Sequence, residues 1–383
     1  MGRKKILLLM LAVIFMTATP AMGQSQDCSQ KYLVNEPPPI GNGSSYYRRR
    51  VVFPWYAVGP NPDGSRWETR LVFGLAAVPA PPDFLGGNYF IQYKTMRSTP
   101  AWNYGADLKQ TDVRQQPHFT AWAGGTFGNF LRLGSRMELH LTEFAWQVWE
   151  GSNYTFNPTN DLDVGVIILD FYTGEKSDPC VVNKVWDNFA YAQLTFLSRR
   201  PDGTVEWQVS EPGYFVDQLS SRWAAPINVS GDLSTQPPDF SDFEDPSFAV
   251  ANAGNSEIQV RISVFDMLGA PWEPDIPKNS CLQRIITLKP LETKGYIIRN
   301  FFEEITPQCG GKNPLFNSFV NYDSGFGGRP SGFRGTILFE AIDASGNVLS
   351  DAKIIPLVLQ RVGDSLTNIQ LVKLPPQKPT WQQ

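Results

Sequence analysis

Histidine is scarce in this sequence of 383 residues, which contains only His118 and His140. A histidine-based catalytic triad would have to use one of them, and no G-x-S-x-G nucleophile elbow accompanies either. The sequence also lacks a phosphate-binding glycine loop that ends in Lys followed by Ser or Thr. His140 falls on the polar side of the alternating segment MELHLTEF and is predicted to be a solvated strand residue. These gaps predict a non-enzymatic protein that uses no cofactor.

Charged side chains make up only 18% of the chain, and the 33 basic and 37 acidic residues give a net charge of −4. This balance argues against nucleic acid as a partner, because nucleic-acid binding needs a concentrated basic face. Aromatic residues reach 13%, which supplies material for a core and excludes disorder over most of the chain. With 31 Pro and 32 Gly, short strands joined by many loops are expected rather than long helices.

The amino-terminal segment, 1–23, has the layout of a secretory signal peptide. Three basic residues at 3–5 precede an apolar run over 6–16, and small residues lead up to a cleavage point near Gly23–Gln24. The apolar run is shorter than the roughly 20 residues that cross a bilayer. No later stretch is apolar enough to do so. We therefore expect a secreted or periplasmic protein with no membrane span after signal removal.

Cysteine is also sparse, and all four cysteines follow the expected cleavage point. An even number in an exported chain favours two disulfides, although four cysteines allow three connectivities. We favour bridges that stay within one half of the chain, and free buried thiols are the alternative. The favoured pairs are Cys281 with Cys309 and Cys28 with Cys180.

The segment EIQVRISVF at 257–265 alternates polar and aliphatic side chains. On a strand the aliphatic residues at 258, 260, 262 and 264 share one face, whereas on a helix they would scatter around the axis. The segment VGVIILDFY is apolar almost without a break, which predicts a strand covered on both faces. The patterns therefore predict an all-β protein.

A hairpin is predicted over 191–211, where Leu194 and Phe196 share a face and Pro201, Asp202 and Gly203 form the turn. A similar pattern recurs near the carboxyl terminus with the same spacing between its members, which favours two similar sandwiches. The later residues that correspond to Leu194, Phe196, Gly203 and Val205 are Ile337, Phe339, Gly346 and Val348.

An acidic, proline-rich segment, SGDLSTQPPDFSDFEDPS, is the best candidate for a linker. It divides the chain into predicted parts. These are a signal peptide (1–23), a polar Pro-rich leader (24–50), an N-terminal β-sandwich domain with inserted loops (51–230), the linker (231–247), a C-terminal β-sandwich domain (248–374) and a tail (375–383).

The carboxyl-terminal half contains an AxANxGN strand start, a D-x-x-G turn, and the segments TLKPLETKGYIIRNFFEEI, FRGTILF and IPLVLQR. In these motifs it resembles exported bacterial immunoglobulin-like β-sandwich repeats. The earlier segment FPWYAVGPNPDGSRWETRLVF is similar to the opening of a companion repeat. The resemblance covers about two-thirds of the mature chain and implies two tandem immunoglobulin-like antiparallel β-sandwich domains with long loops. Because the shared motifs are apolar patterns and turns, the resemblance implies a fold and not a reaction.

Carboxylates form two weak candidates for calcium sites, because hard cations prefer oxygen ligands. Neither follows the spacing of a recognised calcium loop, and solvated acidic loops are the alternative. A glycosidase would need two carboxylates flanking a cleft, and nothing in the sequence singles out such a pair. The calcium candidates are Asp161 with Asp163, and Asp239, Asp242, Glu244 and Asp245.

Aromatic residues in the N-terminal half form a candidate platform for stacking on sugars or packing against a partner. Core packing is the alternative for the same side chains. The platform residues are Trp102, Tyr104, Trp122, Trp146 and Trp149.

The basic run YYRRR at 46–50 is a second candidate site, which would bind an anionic surface polymer. The alternative is that this run is a solvated face of the protein.

Together these features predict a secreted, non-enzymatic structural or adhesive protein of the bacterial surface. Its expected partners are a surface polysaccharide or another surface protein. The second hypothesis is a carbohydrate-binding protein that uses the aromatic loops, and the third is a carboxylate-based glycosidase.

Overall fold

The computed structural model describes residues 29–36, 43–61, 64–76, 88–97, 114–116, 136–140, 163–174, 178–231, 244–266, 283–303, 331–363 and 365–375. Within these ranges the chain is all-β, with antiparallel strand pairs and two short helices. The prediction of an all-β antiparallel protein is therefore confirmed. None of the described helices has the length and apolarity needed to cross a membrane.

The N-terminal strands form one ten-stranded sheet, in which β5-β4-β7-β2-β3-β8-β9 follow one another while β1 and β10 pair with β2 and β6 pairs with β3. The helix α1 (Pro179–Asn188) precedes β8, and a 3-10 turn (Val216–Gln218) follows β10. The strands are β1 (Leu33–Val34), β2 (Tyr46–Pro60), β3 (Arg66–Leu75), β4 (Asn88–Arg97), β5 (Arg114–Gln116), β6 (Arg136–His140), β7 (Asp163–Gly174), β8 (Ala190–Arg199), β9 (Val205–Pro212) and β10 (Tyr214–Phe215).

The remaining strands form a five-stranded sheet, β14-β13-β16-β11-β19, and a four-stranded sheet, β15-β12-β17-β18. The helix α2 (Ile298–Glu303) follows β15. The strands are β11 (Arg222–Gly231), β12 (Glu244–Asn252), β13 (Ile258–Asp266), β14 (Gln283–Leu288), β15 (Thr293–Ile297), β16 (Ser331–Ile342), β17 (Ile354–Val362), β18 (Ser365–Asn368) and β19 (Val372–Lys373).

The alternating segment forms β13, and its four aliphatic side chains are all buried, as predicted. The apolar segment forms most of β7, in which every residue from Val164 to Thr173 is buried, which confirms a strand covered on both faces. Successive side chains of a strand point to opposite faces of the sheet. A strand with one buried face, such as β13, therefore alternates polar and apolar residues, whereas a strand buried on both faces, such as β7, is apolar at nearly every position.

Two hydrophobic cores interlock the halves of the chain. The first core joins Val51 and Leu169 of the N-terminal sheet to Leu357 and Leu359 of β17. The second core joins Val52 to the inner faces of β12, β13 and β16. Neighbouring residues of β2 therefore enter different cores, because successive side chains of a strand point to opposite faces.

Three turns share one hydrogen-bond pattern. In the predicted hairpin, Arg200 donates to the Thr204 carbonyl (2.9 Å) and Gly203 donates to the Arg200 carbonyl (2.9 Å), with Gly203 at φ +84°. The turns at 61–65 and 343–347 repeat these bonds, with a glycine at φ +83° in each. The pattern that recurs between the two halves of the sequence thus reflects a common turn, in which glycine adopts a conformation that other residues avoid.

The strand β11 ends at Gly231, the first residue of the predicted linker, and it pairs along its whole length with β16. The last four predicted linker residues, 244–247, are the first residues of β12 and pair with β17. The strand before residues 232–243, β11, thus belongs to the five-stranded sheet, and the strand after them, β12, belongs to the four-stranded sheet.

Candidate functional site

A cleft of about 500 Å³ lies where the amino-terminal segment, β2, the 3-10 turn and two loops of the C-terminal half meet. Its lining residues come from two parts of the chain. The first group lies in the N-terminal half and contains most of the charged side chains, and the second group lies in the turn after β12 and the segment before β17. The first group is Lys31, Tyr32, Leu33, Val34, Arg48, Arg49, Arg50, Val216 and Asp217, and the second is Asn252, Ala253, Gly254, Asn255, Ser256, Ile258, Leu349, Asp351, Ala352 and Lys353.

The basic run of the sequence contributes three arginines to this cleft, and each is held by a carboxylate. Arg50 makes a two-point contact with the buried Asp170 of the neighbouring strand β7, through Nε and Nη2 at 2.7 Å each. Arg48 Nη1 donates to Glu36 Oε1 at 2.7 Å. The side chains of Arg48 and Arg50 are 25% and 23% exposed, so both cations remain accessible from the cleft.

Arg49 lies between these two arginines on β2, so its side chain points to the other face of the strand. It is only 2% exposed. It donates through Nη1 to the Trp186 carbonyl and through Nε to Asp217 Oδ1 at 3.4 Å. Its guanidinium carbon lies 3.7 Å from the ring centre of Phe215. Stacking and charge-assisted hydrogen bonds together offset the cost of burying this cation.

The amino-terminal segment is fixed to the same group of charges. Lys31 Nζ donates to Asp187 Oδ1 (3.1 Å) and lies 3.6 Å from Asp217 Oδ2, and the Tyr32 hydroxyl donates to Asp187. Burial and the hydrogen bond to Asp187 raise the pKa of Tyr32 well above its ordinary value. We call Lys31, Tyr32, Arg49, Asp187 and Asp217 the charged clasp.

The local sequence explains how the clasp carboxylates reach their places. Asp178 caps α1, since its carboxylate accepts from the Cys180 backbone N–H at 2.8 Å, and Pro179 suits the first helical position. The other end of this short helix presents Asp187. Burial alone would raise the pKa of Asp217, but the charge and hydrogen bond of Arg49 hold it below its ordinary value.

Arg49→Lys is expected to lower the free energy of unfolding by about 1 to 2 kcal/mol, although the charge is kept. A lysine ammonium cannot bind the Trp186 carbonyl and Asp217 in the planar geometry of a guanidinium while stacking on Phe215. Urea denaturation of the two proteins measures the difference. Lys184→Arg, at an exposed position of α1, is the control, and an unchanged midpoint for Arg49→Lys would contradict this role for the clasp.

The opposite wall of the cleft is a rigid turn. Asn252 Oδ1 accepts from the Gly254 N–H at 2.9 Å, and Asn252 Nδ2 donates to the carbonyls of Ser256 and Leu288. The Ala253 N–H donates to the Lys353 carbonyl at 2.8 Å, which holds the turn beside the segment that carries Lys353. Asn255 and Ser256 are exposed at the tip of this turn.

Lys353 differs from the other cations of the cleft. Its side chain is partly buried, and within the described parts of the chain its ammonium group pairs with no carboxylate. Arg50 also has a spare donor, because Nε and Nη2 are engaged by Asp170 while Nη1 has no hydrogen-bond partner among the described groups. The cleft therefore contains unused cationic donors next to exposed amide and hydroxyl groups.

The aromatic residues proposed as a platform, Trp102, Tyr104, Trp122, Trp146 and Trp149, lie outside the described residues. The same holds for His118 and for the residues of the predicted signal peptide. His140 ends β6, where it pairs with Arg70 of β3. The stacking hypothesis therefore stays a prediction.

The calcium candidates fall partly on described residues. Asp163 begins β7, whereas Asp161, Asp239 and Asp242 lie outside the described ranges. Asp245 Oδ1 accepts from Arg299 Nε at 3.0 Å, and Glu244 Oε1 accepts from Asn228. Burial raises the pKa of Asp245 despite the cation of Arg299. No group of three His, Cys, Asp or Glu residues suited to a metal ion occurs among the described residues.

Cys180, the second residue of α1, is disulfide-bonded. The other three cysteines, Cys28, Cys281 and Cys309, lie outside the described residues, so the favoured pairing stays a prediction.

Sequence reasoning did not single out the buried acidic residues Glu340 and Glu211. Glu340 lies between Arg222 and Arg261 in the five-stranded sheet, with all three side chains largely buried. Glu211 is buried in β9, and neither of its carboxylate oxygens has a hydrogen-bond partner among the described residues. The alternation of β9 gave a signal for Glu211, since it shares a face with the buried Val209.

Comparison of the chain with family models, curated proteins and solved structures found no match.

Proposed function

We propose that this chain is an exported, non-enzymatic protein of two tandem immunoglobulin-like β-sandwiches, with a structural or adhesive role at the bacterial surface. The observation that carries the proposal is the interlocking of the two cores, in which β17 contributes to the N-terminal core and β2 contributes to the C-terminal core. Two domains whose cores share side chains keep a fixed orientation relative to each other, which suits a protein that holds two surfaces together.

The placement of the cleft supports adhesion in particular. Residues distant in sequence, such as Arg48 and Lys353, form its walls, so binding there depends on the assembled fold. Loops and junctions on a rigid β scaffold are common places for binding sites. The partner proposed on these grounds is a surface polysaccharide or another surface protein.

Binding of the mature protein, from Gln24 onward, to isolated cell envelopes tests this function. Saturable co-sedimentation with envelopes is expected, and heat-unfolded protein is the control. The same protein is incubated with a panel of polysaccharides, and release of reducing ends would contradict the non-enzymatic role and favour a glycosidase. Failure to bind envelopes would contradict adhesion.

Tryptophan fluorescence on the same panel distinguishes the second hypothesis. All 11 tryptophans follow the expected cleavage point, so a stacking site would change the emission. Saturable binding that is lost in Trp146→Ala or Trp149→Ala would assign the protein to carbohydrate recognition through its aromatic residues.

A further inference from the structure

The charged groups that line the cleft are mostly paired. Five cations and two carboxylates line it. Four of the cations, Lys31 and the three arginines, contact carboxylates that lie outside the lining, namely Glu36, Asp170 and Asp187, which leaves Lys353 as the lining cation that no described carboxylate contacts. The lining cations are Lys31, Arg48, Arg49, Arg50 and Lys353, and the lining carboxylates are Asp217 and Asp351.

The arginine contacts give the accessible cations fixed positions. Arg50 is oriented by its two-point contact with the buried Asp170, and Arg48 is oriented by Glu36. An arginine held in this way loses little side-chain entropy when a ligand binds its remaining N–H groups. Lys353 adds a positive charge that no described carboxylate neutralises. The cleft is thus prepared for an anionic group.

The turn beside Lys353 carries groups that are suited to hydroxyls rather than to apolar surface. The turn at 252–256 is fixed by three side-chain hydrogen bonds of Asn252 and presents Asn255 and Ser256 to solvent. Amide and hydroxyl side chains both donate and accept hydrogen bonds, as sugar hydroxyls do. A ligand that carries carboxylates and many hydroxyls matches both walls.

We propose that the cleft binds an acidic polysaccharide, with a uronate carboxylate placed against Lys353 and Arg50 and the sugar hydroxyls placed against Asn255 and Ser256. This inference rests on the adhesive role proposed above and names the chemistry of its partner. The guanidinium group of Arg50 and the ammonium group of Lys353 supply charge-assisted hydrogen bonds to the carboxylate.

Calorimetric titration with oligogalacturonate tests the site, with neutral dextran oligomers of the same length as the control ligand. The full mature protein is expected to bind oligogalacturonate and not dextran, and the affinity is expected to fall as salt is added because the charges are partly exposed. Lys353→Gln is expected to weaken binding about three- to tenfold. Lys184→Gln removes the same charge from an exposed position outside the cleft and is expected to bind like the wild type.

Several outcomes would overturn the inference. The first is that Lys353→Gln and wild type bind oligogalacturonate with equal affinity, and the second is that dextran and oligogalacturonate bind equally well. The third is that inorganic phosphate competes as strongly as the oligomer, which would indicate a simple oxyanion site. Near-ultraviolet circular dichroism confirms that each variant is folded. Loss of oligogalacturonate binding while envelope binding persists would overturn only the ligand, whereas absence of both would overturn the adhesive function as well.

Discussion

Replacement of Glu340 by glutamine is expected to lower the free energy of unfolding by about 3 to 5 kcal/mol. Glu340 of β16 lies directly opposite Arg222 of β11 and Arg261 of β13. Its Oε1 accepts from Arg222 Nε at 2.9 Å, and its Oε2 accepts from Arg261 Nη2 at 2.6 Å. Removing the negative charge leaves two guanidinium groups, 7% and 12% exposed, without the carboxylate that both of them contact.

Urea denaturation at neutral pH measures this loss, and Glu257→Gln at an exposed position is the matched control. The triple variant Arg222→Met, Glu340→Leu, Arg261→Met is expected to recover most of the stability, because it removes the buried charges together. A Glu340→Gln protein with the midpoint of the control would show that the three charges contribute little.

Replacement of Glu211 by glutamine is expected to stabilise the protein increasingly as the pH rises. Burial raises the pKa of Glu211 well above its usual 4.5. Above pH 4.5 the unfolded chain releases this proton while the folded protein keeps it, so wild-type stability falls with rising pH until the folded-state pKa is reached. The slope is at most about 1.4 kcal/mol per pH unit for one proton.

Chemical denaturation of wild type and Glu211→Gln at half-unit steps from pH 5 to pH 8 measures the linkage. The stability difference is expected to widen across this range, because glutamine does not ionise. Glu257→Gln again serves as the control and is expected to follow the wild-type profile. Parallel profiles for wild type and Glu211→Gln would contradict a buried, protonated carboxyl.

Strand patterns were predictable because they depend on neighbouring residues. The alternation of β13 and the continuous apolar run of β7 each follow from which faces of one strand are buried. The turn at Gly203 was predictable for a similar reason, since a Pro-Asp-Gly sequence restricts a few dihedral angles without help from the rest of the fold.

The arginine run shows where such reasoning stops. The sequence identified 48–50 as a basic segment, but not that the Arg49 side chain is buried while those of Arg48 and Arg50 are partly exposed. That difference depends on Asp187 and Asp217, which are both far from Arg49 in the sequence, and on the register that places Asp170 opposite Arg50. The other wall of the cleft comes from the C-terminal half.

The sequence by itself determined the all-β class, the faces of several strands and the position of a turn, because each depends on residues close together in the chain. Only the tertiary structure decided which strands pair, that β11 joins the five-stranded sheet, and which charges meet in the cleft. Contacts of this kind join residues such as Arg222 and Glu340, 118 positions apart. Their pairing follows from the register of whole strands, which is set by the combined burial of many side chains rather than by any local pattern.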